Sequence, residues 1–264
     1  MTTSPAPIIT PERAQRFARH IVLPEIGGAG QVALARAHVV LIGCGGIGAP
    51  ALQYLAGAGV GKVTLVDRDV VDTSNLQRQT VFTPSDVGTP KAEAAAGWVR
   101  RFDPAIDVTA CVENVGSDNA SALVSGADLV LDGCDNFATR LAVSDACVAA
   151  DISLTSAAVG RFQGQVANFA GHLPDQPCYR CFVGDAFDAA DCDTCAADGV
   201  LGAMVGMVGT FAAMHAMRVL LHGHAALGDD PQFGTLHLID GLKPGMRAMR
   251  IAKDPACRAC GGNV

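Results

Sequence analysis

Positive charge is scarce in this chain. Nineteen Lys and Arg stand against 26 Asp and Glu, a formal net charge of −7 at pH 7 over 264 residues. Such an acidic chain is a poor candidate for binding nucleic acid or an anionic membrane. An anionic substrate would have to be met by a local cluster of Arg and Lys. A leader is also missing: Met1 to Thr10 has no basic segment followed by an apolar core, so no secretion signal is expected. No internal repeat is visible. The most apolar run, Gly199 to Met214, falls short of the ~20 residues that span a bilayer and is followed at once by His215 and Arg218. It reads as a buried helix. With no secretion signal, the ten cysteines read as reduced thiols, metal ligands or reactive groups of a cytoplasmic protein, not as a disulfide scaffold.

What is present is apolar: half of the residues are hydrophobic, enough to bury one sizeable core. Residues 1–11 are polar and Pro-rich and are expected to be disordered at the start; Glu12 to His20 has helical character. The runs 38–42 and 63–67 read as buried strands, and 108–112, 129–132 and 153–156 as further strands. They alternate with helices over 49–58, 91–101 and 136–150, with Pro90 suited to the first turn of the second helix. That alternation predicts an α/β fold with a mostly parallel, Rossmann-like sheet and helices on both faces. Segments 165–169, 235–239 and 247–251 read as strands of an antiparallel extension. Residues 184–198 read as a long Cys-bearing loop.

Gly43-Cys44-Gly45-Gly46-Ile47-Gly48 follows the first strand. Gly43, Gly45, Gly46 and Gly48 in this position let backbone approach phosphates and turn helix N-terminal N–H groups toward an anion. Asp67 ends the next strand, where an acid grips ribose hydroxyls. These features suit NAD and ATP equally, and a glycine turn made only for tight packing would look similar. Asn75-Leu76-Gln77-Arg78-Gln79 and Lys91 favour a triphosphate, whose leaving pyrophosphate needs fixed cations. Asp135, at a strand end, is placed to hold Mg²⁺ against phosphate oxygens, or simply to cap the helix that follows. Two CxxC pairs, Cys178/Cys181 and Cys257/Cys260, suit one tetrahedral Zn²⁺ that would pin the end of the chain to its middle; two separate redox or unliganded pairs are the alternative. Cys44, Cys111, Cys134 and Cys147 lie in apolar segments and read as core residues.

The glycine loop, Asn75 to Gln79, Pro90-Lys91 and Cys134-Asp135-Asn136, together with Arg16 to His20 and Leu23 to Gly27, resemble the HesA/MoeB/ThiF family from about Arg16 to Gly262. The resemblance implies one adenylation domain over residues 1–264 that uses ATP to adenylate the C-terminal glycine of a ubiquitin-like sulfur-carrier protein ending in Gly-Gly, releasing pyrophosphate for thiamin or molybdopterin synthesis or related sulfur transfer. It assigns Asp67 to the ribose, Asn75, Arg78 and Lys91 to the phosphates, and Asp135 to magnesium. Arg19 would reach ATP from the other subunit of a homodimer, although Phe17 and His20 beside it depart from the usual Tyr and Gln. It places zinc on the four cysteines and puts Cys195 in a loop over the site, with a covalent or relay role or none. Asp198 stands where a small residue is usual, and Cys192 is an extra thiol. No rhodanese domain is expected, which makes the sulfur donor a separate molecule. The competing readings are an NAD-dependent oxidoreductase, a tRNA-modifying adenylating enzyme of the same superfamily, and a non-catalytic module binding ubiquitin-like proteins.

Overall fold

The structure, a computed structural model, describes residues 9–184 and 199–262. After α1 (Pro11–Arg16), α2 (Ala18–Ile21) and α3 (Gly27–Arg36), the chain enters β1 (His38–Ile42), α4 (Gly48–Ala58) and β2 (Lys62–Val66). Next come α5 (Lys91–Phe102), β3 (Asp107–Cys111), α6 (Ala120–Val124), β4 (Leu129–Asp132) and α7 (Phe137–Ala149). The second half comprises β5 (Ser153–Gly160), β6 (Gln163–Phe169), α8 (Tyr179–Val183), α9 (Gly202–Leu220), β7 (Thr235–Asp240) and β8 (Gly245–Arg250).

One sheet runs in the order β3-β2-β1-β4-β5-β6-β7-β8. Its first five strands in chain order are parallel and the remaining pairings antiparallel. Continuous apolar runs make the central strands because both sheet faces are covered. Val39 and Leu41 face a core shared with α3, α4, α5 and α9, while Val40 and Ile42 face one shared with α6, α7 and Tyr179. From β1 the chain winds outward to β2 and β3, then crosses back to β4. The resulting crevice beyond the C-terminal ends of β1 and β4 is where a doubly wound sheet takes its ligand.

Three elements differ from the sequence reading. Order begins earlier than residue 12, because Pro11 starts α1 and the Thr10 side chain caps it. Helix α3 carries three glycines, which mask its periodicity; a Cβ at Gly30 would crowd Ala225 and Leu221. Helix α9 extends to Leu220 and is long and apolar enough, by length and composition, to cross a membrane, yet half of it is buried within the fold against α4, β5 and β6.

His215 on α9 is 1% exposed, with Phe211 edge-on at 4.6 Å and His237 at 4.7 Å. Burial, then His237 and Arg218, push its pKa from 6.5 to about 4. Below pH 6.5 the unfolded chain takes up this proton and the folded chain does not until near pH 4. The stabilisation is therefore full above pH 6.5 and is lost as pH falls toward 4, amounting to about 3 kcal/mol. Denaturant melts of wild type and His215→Leu between pH 7 and 4 should show that much less acid sensitivity in the variant; parallel acid limbs would contradict it.

Candidate functional site

Gly43 leaves β1 with φ +85°, and a Cβ there would meet Gly133 and the Cys134 amide at 3.2 Å. At Gly48 a Cβ would collide with the Gly43 carbonyl. The loop therefore closes tightly on itself and against the turn after β4, and larger residues at these two positions would open it. A Cβ at Gly45 would meet the Gln79 side-chain amide at 3.4 Å, and one at Gly46 would meet Val205 of α9 at 3.1 Å. Three distant segments thus meet residues 43–48: the turns after β2 and β4, and the start of α9.

Asp67 follows β2 and binds the loop directly. Its Oδ2 accepts from the Cys44 amide at 2.7 Å and its Oδ1 from the Asp69 amide at 2.8 Å. Burial raises its pKa above the ordinary carboxylate value, against those hydrogen bonds and Lys91. Each oxygen keeps a further lone pair for a ribose hydroxyl. The Cys44 thiol beside it is pushed well up by burial and by Asp67, which leaves it a neutral wall of the site.

Lys91, at the N-terminus of α5, is buried and pairs with Asp69 Oδ2 at 3.0 Å; its amide donates to the Asp69 carbonyl at 2.8 Å. Asp69 was not singled out from the sequence. Asn75 is partly committed to local structure: its Oδ1 accepts from the Asp72 amide at 3.1 Å while Asp72 caps Ser74 at 2.8 Å. Arg78 is half-buried and donates through Nη1 to the Ser74 carbonyl at 2.9 Å. The cap of α7 is Asn136, whose Oδ1 accepts from the Thr139 amide at 2.8 Å. Asp135 is therefore not the cap, and it is exposed one residue beyond the turn that touches Gly43. Arg19, on α2, is exposed. Cys195, with Cys192 and Asp198, lies outside the described residues. Of the four supposed core cysteines, Cys44 and Cys147 are buried, while Cys111 and Cys134 are only partly so.

The sulfurs of Cys178, Cys181, Cys257 and Cys260 lie within 4.8 Å of one another. Cys178 is 3.6 Å from Cys257 and 3.9 Å from Cys181, and Cys181 is 3.4 Å from Cys260. A tetrahedron of thiolates at about 2.3 Å from Zn²⁺ has edges of about 3.8 Å, so the four sulfurs fit one zinc ion and not two separate pairs. All four ligand positions are filled by protein, as in a structural site. The amide of Asp254 donates to Cys181 Sγ at 3.4 Å.

The sequence pattern of the ThiF family matches residues 17–259. The chain belongs to the ThiF family. It is 42% identical over 246 residues to the SAMP-activating enzyme E1 of Haloferax volcanii, covering 93% of this chain and 88% of that one. It is 40% identical over 257 residues to the sulfur carrier protein adenylyltransferase of Thermus thermophilus, covering 96% and 92%. A crystal structure of E. coli MccB superposes with TM-score 0.77 at 20% identity over 94% of this chain and 74% of that one, which shows a shared fold.

In this ThiF-family chain the sequence reading missed the ion pair behind Asp135. Asp132, fully buried at the end of β4, lies 3.5 Å from Arg140. An acid inside an apolar strand with an arginine eight residues on was the available signal. Two cavities of about 520 and 500 Å³ lie apart from the glycine loop, one beside Asp145 and Arg258, the other under the N-terminal ends of β1, β4 and β5.

Proposed function

We propose that this chain adenylates the C-terminal glycine carboxylate of a ubiquitin-like sulfur-carrier protein ending in Gly-Gly. What supports this reading is that Asp67 binds the glycine loop and pairs through its neighbour Asp69 with Lys91, that Asp135 follows the turn packed on Gly43, and that Arg78 adjoins Gln79, whose side chain lies by Gly45. An oxidoreductase would use the loop and Asp67 but gives Arg78 and Lys91 no shared task. The carrier carboxylate is already ionised, so no protein base is needed. One of its oxygens attacks the α-phosphorus, an acyl–phosphate bond forms, and the bond to the β-bridging oxygen breaks. The electron pair leaves with pyrophosphate toward Arg78 and Lys91. Lys91 exchanges Asp69 for a phosphate oxygen, and Asn75 offers its Nδ2. Fixed charges aimed at the leaving group supply the catalysis.

Asp135 would hold Mg²⁺, which when bound neutralises phosphate charge. Arg19 points to a homodimer in which each subunit completes its partner's site. The adenylate is then open to a sulfur donor, with Cys195 as the relay this reading assigns. The whole is one adenylation domain, working in the cytoplasm where thiols stay reduced. Intact-mass analysis tests the reaction: with Mg-ATP and a Gly-Gly carrier, the carrier should gain one AMP at its C-terminus. A carrier of unchanged mass, with tight NADH binding and no ATP binding, would contradict it.

A further inference from the structure

Gln79 follows Arg78 at the end of the run that begins with Asn75, and it is 3% exposed. Both of its backbone groups are fixed. The amide donates to the Asn75 carbonyl at 2.9 Å, and the carbonyl accepts from the Phe82 amide at 3.0 Å. Val81 and Phe82 beyond it are buried in the core shared with α4 and α9. The turn therefore delivers the side chain to one place, the glycine loop, where a Cβ on Gly45 would meet Nε2 at 3.4 Å.

Among the described residues this side-chain amide has no hydrogen-bond partner. Its Oε1 is enclosed and unpartnered, while Nε2 is not enclosed and opens beside Gly45. A buried amide left unbonded costs stability, and an apolar side chain of the same shape would avoid that cost. Gln31 is a useful contrast. It is 0% exposed and its Oε1 is likewise unpartnered, but its Nε2 donates to the Ala58 carbonyl at 2.8 Å and so ties α3 to α4. Gln79 commits its Nε2 to nothing within the described chain. A polar side chain kept at a buried position without a structural partner points to a ligand.

Gly45 lies between the end of β1 and the start of α4, the stretch that turns N–H groups toward an anion. A neutral N–H donor held beside it, one residue after Arg78, fits an oxygen of a bound phosphate, and it is in place before the ligand arrives. We propose that Gln79 is a further nucleotide-binding residue, with Nε2 donating to a phosphate oxygen of ATP. The inference rests on the adenylation reading of the site. That oxygen is charged before and after the chemical step, so the contact strengthens ATP binding more than it lowers the barrier.

Gln79→Met tests this, because methionine keeps a side chain of similar length and removes the amide. Two quantities are read on the zinc-loaded protein without carrier: the melting midpoint in the absence of nucleotide, and the Kd of Mg-ATP by calorimetry. We expect a midpoint at or above that of the wild type and a Kd about tenfold higher, the usual consequence of losing one hydrogen bond to a charged group. Gln31→Met should do the reverse, lowering the midpoint and leaving the Kd unchanged. An unchanged Kd or a lowered midpoint in Gln79→Met, or an equal rise in Kd in Gln31→Met, would overturn the assignment, and the site reading would stand if Arg78→Ala still loses carrier-dependent exchange. No binding of Mg-ATP by the wild type would overturn the site reading and the assignment together.

Discussion

Replacing Arg78 with alanine should lower carrier-dependent ATP–pyrophosphate exchange by about a hundredfold or more, with the fold intact. Its guanidinium is half-buried and tied to the chain by the Ser74 carbonyl. That bond closes a local turn and bears on no core cluster, so its loss costs little stability. The expected effect on rate is large because the departing pyrophosphate develops charge in a site where fixed donors are not screened as in water. Removing one such donor typically costs about 3 kcal/mol, or a hundred- to a thousandfold. Lys91→Ala should act in the same direction, with one difference: Asp69 is 56% exposed and is resolvated when its partner leaves. Exchange kinetics and a thermal melt on each variant check both halves of the prediction. A loss of activity that tracks a loss of folded protein would contradict it.

Cys260→Ser, or chelation of the wild type, should release zinc and lower the melting midpoint by roughly 10 °C. The cluster stands on a small separate core of Val148 and the buried cysteines, apart from the two larger ones. Outside the thiolates, the segment after β8 is tied by bonds that include the Ile251 amide on the Gly234 carbonyl and Lys253 on the Leu173 carbonyl at 3.0 Å. Metal binding adds four bonds that cross-link this segment to residues 178–181. A loss of about 4 kcal/mol corresponds to that shift in a chain of this size. Zinc content by elemental analysis, followed by melting with and without chelator, gives the result; an unshifted midpoint in zinc-free protein would show that the tail holds without the metal.

The parallel half of the fold was legible because its central strands are buried on both faces and its loop glycines follow a strand and open a helix; the edge strand β3 is largely uncovered. The antiparallel extension was legible in position, although β6 and β8 each begin two residues before the expected start, where Gln163, Gly245 and Met246 carry no strong strand signal. Helix α3 was hidden by its glycines: Gly27 opens it with φ +61°, and Gly30 packs closely against Ala225 and Leu221. At the site, residue types pointed to candidate ligands but not to the partners those residues keep within the chain. Nothing in the sequence tied Lys91 to Asp69, or gave the helix cap to Asn136 and so left Asp135 uncommitted. Pairings such as Arg140 with the Cys134 carbonyl depend on how β4 and α7 meet, which local patterning does not encode.

The account turns on the claim that a protein's terminal carboxylate is the nucleophile. Labelled pyrophosphate incorporated into ATP measures this directly when a Gly-Gly carrier is compared with the same carrier lacking its last glycine. Rapid exchange with the full-length carrier and background exchange with the truncated one is the predicted result. Equal exchange with both carriers, or with none present, would contradict it.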